Sequence, residues 1–203
     1  VLNTSRFLSK VSLDPSCISK MISCGTEAVH SMMKLLSRYK NHVPIVIRLC
    51  FILGNLSFCH EETRYTISSQ KYVTLMTSLA NVFGKMFVML NMNEDIEPIM
   101  IEMKMPPTFT APSLTETSDL LLKLIRVVAN AALVQAEIIS QQQVIVILVD
   151  ILELLNIDRN EELMLNIIRC LTNLTFHSSV HSSTSLLVAH QKRIAAAISP
   201  LLT

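Results

Sequence analysis

A twelve-residue pattern occurs four times in this 203-residue chain, and it constrains the fold more than any other feature of the sequence. Three copies have an Asn at the same place: IRLCFILGNLSF (47–58), LKLIRVVANAAL (122–133) and LNIIRCLTNLTF (165–176). A weaker copy, LNTSRFLSKVSL (2–13), has Lys10 where the others have Asn55, Asn130 and Asn173. Recurrence of one pattern predicts structural units that stack on one another.

The positions around this anchor residue also agree between the copies. The residue before the anchor is small: Ser9, Gly54, Ala129 and Thr172. The residue two places after it is small as well: Ser12, Ser57, Ala132 and Thr175. The residue three places after it is large and apolar: Leu13, Phe58, Leu133 and Phe176. Small residues let neighbouring helices approach closely, and we expect the large residue to fill the gap between them.

The spacing of the anchors indicates a helical solenoid. They are 45, 75 and 43 residues apart, and helical solenoid repeats have periods of about 40–47 residues. The long interval is one period plus an insertion at 92–117, where four of the chain's seven prolines lie and where we expect no helix. Half of the residues are hydrophobic and only three are Gly, which favours helices over sheets with tight turns.

Each unit is predicted to contain three helices: a short one, a longer one, and a long buried third helix that ends in the anchor segment. We expect Thr26 and Asn160 to cap helices of this kind. The sequence therefore predicts one all-α solenoid over 1–203, a partial array of about four repeats whose ends are cut from a longer one. Its units are about 1–13 (partial), 14–58, 59–133 with the insertion 92–117, 134–176 and 177–203 (partial).

These anchor segments resemble the third helices of the armadillo-repeat family, which end in a small residue, an Asn and an apolar residue. The stretches LGNLSF, SDLLLKLIRVVANAAL and EELMLNIIRCLTNLTF, with the Pro-rich insertion before the second, agree with that family in order and spacing. The resemblance covers most of 43–203 and, more faintly, the first forty residues. It implies a right-handed superhelix that binds other proteins.

The resemblance extends to family members that work in cilia and flagella. It implies a cytoplasmic and axonemal protein that takes part in assembling or transporting axonemal complexes, radial spokes in particular. The expected partners are axonemal or ciliary-transport proteins. An armadillo-type regulator or exchange factor acting on a chaperone or a small GTPase is the alternative.

One face of the predicted third helices is polar. Positions 0, −4 and −7 relative to the anchor share a helix face. They are Asn3, Arg6 and Lys10; Arg48, Phe51 and Asn55; Lys123, Arg126 and Asn130; and Asn166, Arg169 and Asn173. Stacking would turn this face into a groove, in which the resemblance implies that the Asn side chains pair with the backbone of an extended peptide.

The predicted groove is basic although the formal net charge is only +1. Six of its twelve positions are Lys or Arg and none is Asp or Glu, so we expect an acidic or mixed partner segment. Armadillo domains that bind basic import signals place Trp at position −4, and this chain has no Trp. Two alternatives remain open: the Asn residues only tie one third helix to the next, or the insertion itself occupies the groove.

Motifs for catalysis, metals and cofactors are not found in the sequence. It has no GxGxxG, Walker, GxSxG or HExxH motif and no zinc-ligand spacing. We therefore predict a non-catalytic adaptor without metal, cofactor or small-molecule substrate. The low net charge and the lack of an apolar run of about 18 residues predict that it binds neither nucleic acid nor membrane. Its five cysteines are expected to be reduced core thiols.

Overall fold

The computed structural model describes residues 1–140, 143–155, 157–177 and 186–199. Within these ranges the chain forms α-helices and no β-strand, which confirms the all-α prediction. The helices are α1 (Leu2–Val11), α2 (Pro15–Ser23), α3 (Thr26–Arg38), α4 (Val43–Cys59), α5 (Glu61–Ile67), α6 (Gln70–Asn91), α7 (Glu97–Glu102), α8 (Leu114–Ser140), α9 (Val144–Leu154), α10 (Ile157–His177) and α11 (Leu186–Ile198).

The helices repeat in threes, with a short, a longer and a buried third helix in each unit. One unit is α2, α3 and α4, and the next is α5, α6 and the first part of α8. A third begins after Gln135, where non-helical backbone (φ −140°, ψ 46°) breaks α8, and continues through α9 and α10. Asn160, the residue predicted as an N-terminal cap, breaks α10 in the same way (φ −136°, ψ 30°).

Two layers of helices result from this repetition. In the inner layer, the third helices pack in series: α1 on α4, α4 on α8 and α8 on α10. In the outer layer, α6 packs on α9 and α9 on α11. The third helices are apolar on nearly all sides because they lie between neighbours, and eleven of the seventeen residues of α4 are buried.

Helix α6 is long and apolar enough to cross a membrane by length and composition. The expectation that the chain has no apolar segment of about 18 residues is therefore wrong for this helix when hydropathy is averaged along it. Burial explains the composition, because 56% of its most apolar 18-residue window is buried inside the protein. Its apolar side packs on α8 and α9, as in a core helix of a helical array.

The insertion differs from its prediction in two ways. It contains a short helix, α7, and buries Ile96, Ile99 and Phe109 in the core. In addition, α8 begins at Leu114, inside the range predicted to be non-helical. A capping box explains this early start: the Ser113 hydroxyl accepts from the Glu116 backbone N–H at 3.2 Å, and the Glu116 carboxylate accepts from the Ser113 N–H at 2.9 Å.

The insertion packs beside the outer layer. The Glu102 carboxylate of α7 lies 3.6 Å from the Lys85 ammonium of α6, and α7 contacts α6. Thr108 and residues 110–112 line a cavity together with residues 41–44, at the first turn of α4. These contacts hold the insertion about 20 Å along α4 from Asn55, given the rise of an α-helix.

Two smaller predictions need correction. Thr26 is the first residue of α3 rather than its cap, and Gly25 takes the cap position with a positive φ of 71°, which glycine adopts without strain. Of the five free cysteines, only Cys50 and Cys170 are buried, so the core-thiol expectation fails for the others. Burial raises the pKa of both buried thiols to about 12.

The two buried helical glycines test how closely the helices approach. A Cβ at Gly84 would lie 2.3 Å from Ile147 Cγ1 of α9, whereas one at Gly54 would lie 3.5 Å from Arg126 Cδ, an ordinary contact. We expect Gly84→Ala to lower the free energy of unfolding by about 1–3 kcal/mol through overpacking. The matched control Gly54→Ala should raise it by up to about 1 kcal/mol through helix propensity.

Urea denaturation followed by far-UV circular dichroism measures both changes. Equal effects of the two alanines would contradict the close approach of α6 and α9.

Candidate partner-binding groove and its asparagine ties

Asn130 lies at the centre of a hydrogen-bond network between three third helices. Its side chain is fully buried, at 0% exposure. Its amide nitrogen donates across to α4, to the Gly54 carbonyl at 3.2 Å and to the Ser57 hydroxyl at 2.9 Å. Its amide oxygen accepts a hydrogen bond from the Arg169 guanidinium of α10. A donating and accepting amide therefore joins its helix to both neighbours.

The same tie recurs on either side. The Asn55 amide of α4 donates to the Ser12 carbonyl at 3.1 Å and to the Ser12 hydroxyl at 3.0 Å, just after α1. The Asn173 amide of α10 donates to the Ala129 carbonyl of α8 at 2.8 Å. The small columns of the sequence pattern supply these acceptors, so the anchor residues occupy equivalent places in successive helices.

These ties show the structural role that was left open for the Asn column. Both amide protons of Asn55 and of Asn130 are engaged by the preceding helix. The cations and Phe51 are the side chains of this face that remain at the surface around Asn55 and Asn130. A partner segment bound here would therefore contact charged and aromatic groups rather than the amide of Asn130.

A groove of about 290 Å³ crosses the inner layer beside these ties. It is lined by residues of three successive third helices and of the turn after α1: Ser9, Lys10, Leu13, Ile47, Arg48, Phe51, Asp119 and Lys123. Four residues of the predicted set are brought together there, namely Lys10, Arg48, Phe51 and Lys123. Three apolar side chains beside four charged ones suit the binding of a segment with both apolar and charged groups.

Lys123 is held in the groove by two contacts. Its ammonium lies 3.4 Å from the Asp119 carboxylate, one turn earlier on α8, and 5.7 Å from the centre of the Phe51 ring of α4, within cation–π range. Arg48 contributes a buried Nε that has no hydrogen-bond partner. A buried guanidinium nitrogen without an acceptor favours an incoming oxygen ligand.

Arg126 and Arg169 extend the basic face towards α10. The Arg126 guanidinium lies 5.9 Å from the centre of the Phe58 ring. Burial lowers the pKa of Arg126, the positive charge of Arg169 lowers it further, and Glu162 acts in the opposite direction. Two neighbouring guanidinium groups that repel each other favour an anionic ligand between them.

Curated relatives agree with this architecture. The chain is 27% identical over 195 residues to armadillo repeat-containing protein 2 of Mus musculus, which covers 92% of this chain. It is 26% identical over 184 residues to the proteins of that name in Bos taurus and Homo sapiens, which cover 89% of it. The chain resembles the armadillo-repeat family. It spans about one fifth of the length of these relatives.

No family model and no solved structure matches the chain. The relatives and the stacked three-helix units together make it an armadillo-like solenoid, and the armadillo resemblance supports a protein-binding repeat scaffold.

Three of the predicted groove residues lie on the first and last third helices. Asn3 and Arg6 are exposed on α1. Asn166 is partly buried on α10, and its amide donates to the Glu162 carbonyl of its own helix at 2.8 Å. Four of the twelve predicted residues therefore line the groove. These three lie outside its lining, as do the anchor Asn residues of the ties and the two arginines Arg126 and Arg169.

Two acidic residues were missed by the sequence pattern: Asp119, which lines the groove, and Glu162, which lies near Arg126. Asp119 and Glu162 each lie eleven residues before an anchor Asn, three helical turns away on the same face. Extending the positions 0, −4 and −7 by one more turn would have found both. They make the groove mixed in charge rather than purely basic.

The large apolar column was predicted to fill the gap between helices, and this is wrong for three of its members. Leu13 is 65% exposed, Phe58 60% and Phe176 81%. The small residues and the Asn ties already fill the contact between neighbouring third helices. The large residue three places after the anchor therefore lies outside this contact. Phe58 instead supports the Arg126 guanidinium.

The ties predict a graded loss of stability. Asn130→Ala should lower the free energy of unfolding by about 2–3 kcal/mol, because it removes three hydrogen bonds to two neighbouring helices at a fully buried position. Asn173→Ala, which removes one partly buried bond, should cost about 1 kcal/mol. Urea denaturation of both variants measures the difference. If the two substitutions cost the same, Asn130 is not the central tie.

Proposed function

We propose that this armadillo-like array is a non-catalytic scaffold that holds extended segments of partner proteins along the groove of α1, α4 and α8 and along its basic continuation at Arg126 and Arg169. One observation carries the proposal: charged and aromatic side chains from three successive third helices converge on one groove. The anchor amides are engaged inside the array and keep these helices in register.

The charges of the groove favour an acidic segment with an occasional basic residue. Lys10 and Arg48 face the groove without an ion pair among the described residues, and Arg126 lies beside Arg169. Asp119 offers a single carboxylate close to Lys123. Partner carboxylates would reach the cations, and Phe51 with Ile47 would hold an apolar side chain.

We also propose that the scaffold serves the assembly or transport of axonemal complexes, radial spokes in particular, in the cytoplasm and at the axoneme of cilia and flagella. Resemblance in sequence supports this part of the proposal. The groove is compatible with this role, because the assembly of a multi-subunit complex needs proteins that hold several partners.

The double substitution Arg126→Glu, Arg169→Glu should abolish capture of groove partners. The immobilised wild-type chain is incubated with an axonemal extract at ionic strengths of about 0.01 M and about 0.15 M. Between these two conditions the Debye length falls from about 30 Å to about 8 Å. Proteins bound through the groove should be retained at low salt, weaken at higher salt and be lost with the variant. Quantitative mass spectrometry measures retention.

The control Lys20→Glu, Lys192→Glu changes the net charge equally at exposed residues of α2 and α11, and it should leave capture intact. Because Arg169 also bonds Asn130, circular dichroism must show that the groove variant is folded. Retention of the same proteins by the folded variant would refute the groove.

The ciliary role has its own test. A biotin ligase fused to the chain and expressed in ciliated cells should label radial-spoke subunits above a cytosolic ligase control. Labelling should fall with the Arg126→Glu, Arg169→Glu variant. Labelling of cytosolic proteins alone would refute the axonemal role. It would not bear on binding in the groove, which the capture experiment tests separately.

A further inference from the structure

A second basic site lies in the outer layer, between α3 and α6. These two helices leave a cleft of about 470 Å³ between them, a volume typical of ligand sites. Its floor includes buried apolar side chains, among them Met33 and Leu79. Its rim holds four cations: Lys34, Arg38, Lys40 and Lys71.

The cations of the cleft face one another across the two helices. Lys34 and Arg38 are four residues apart on one face of α3, and Lys71 stands at the start of the facing stripe of α6. No Asp or Glu lines the cleft. None of the four cations belongs to an ion pair recorded among the described residues. The two helices therefore present charge of one sign to each other, which opposes closure.

The equivalent junction further along the outer layer is built with opposite charges. Between α9 and α11, the Arg193 guanidinium donates to the Asp150 carboxylate at 2.7 Å and to the Glu153 carboxylate at 2.7 Å. The hydrogen bonds that Arg193 donates to Glu153 and Asp150 raise its pKa, and Arg193 lowers the pKa of Glu153. The α3–α6 junction lacks such carboxylates.

One end of the cleft is nevertheless fixed. The Tyr72 hydroxyl of α6 lies 2.9 Å from His30 Nδ1 of α3, and the two rings are 5.7 Å apart. The helices are therefore held together at this contact while the rest of the cleft stays open. A cleft with one fixed end, an apolar floor and a cationic rim is a preformed site for an anionic ligand with an apolar part.

We propose that this cleft binds an acidic segment of a partner protein, with carboxylates on Lys34, Arg38 and Lys71 and a large apolar side chain on the floor. The missing counter-charge favours an anion, and the apolar floor favours a peptide over an inorganic phosphate. A net charge of +1 gives no long-range field for nucleic acid. The site belongs to the outer layer and is independent of the groove.

A random dodecapeptide library displayed on phage tests the proposal. Panned on the wild-type chain, it should enrich peptides in which Asp or Glu flank Phe, Leu or Trp. Fluorescence anisotropy of an enriched peptide should show at least about tenfold weaker binding to Lys34→Glu, Lys71→Glu. Binding should be unchanged in the groove variant Arg126→Glu, Arg169→Glu and in Lys20→Glu, Lys192→Glu.

The outcomes separate the two sites and the two kinds of anion. If the enriched peptides are lost with the groove variant and kept by the cleft variant, the cleft proposal is overturned and the groove is supported. Replacing the apolar residue of the peptide by Ser should weaken binding at least about fivefold. If it does not, or if tripolyphosphate displaces the peptide at equal concentration, the cleft is a small-anion site and the proposal fails.

Lys34→Gln, Lys71→Gln is the second variant for the case in which charge reversal disturbs folding. It should weaken the peptide in the same direction by a smaller factor. Undiminished binding to this folded variant would also overturn the proposal.

Discussion

A buried amide that reaches across to the backbone of the preceding helix holds this protein together. Asn130 donates to the Gly54 carbonyl and accepts from Arg169, so one side chain links α4, α8 and α10. A buried amide left without a hydrogen-bond partner costs about 1–3 kcal/mol, and these bonds therefore fix the position of each third helix against its neighbour. The fixed spacing in turn places Lys10, Phe51 and Lys123 on a common groove.

The sequence predicted the architecture well because its repeats obey one packing rule. The three-helix units follow from the recurrence of the anchor segment, and the small residues beside each Asn follow from close helix packing. The exposure of Phe58 was missed, since a large apolar residue beside a helix contact usually lies inside it. Whether Phe58 is buried depends on which other side chains already fill the contact between the two helices. The sequence of one segment does not show this.

The candidate sites were predictable to different degrees. Within each third helix the positions of the groove face are three or four residues apart, so periodicity alone places them on one face. The α3–α6 cleft involves residues of two helices from different repeats, and its opening depends on how those helices diverge. Asp119 lies between these cases, because it continues the groove face by one turn beyond the positions that were considered.

The insertion between α6 and α8 lengthens one interval between ties from about 45 to 75 residues. The entropy of closing a loop grows only with the logarithm of its length, so the added cost is about 0.5 kcal/mol. Since the extra residues pack at the start of α4, they do not lie between Asn130 and its acceptors. This connection is therefore a place where the chain can gain new sequence without loosening the stack.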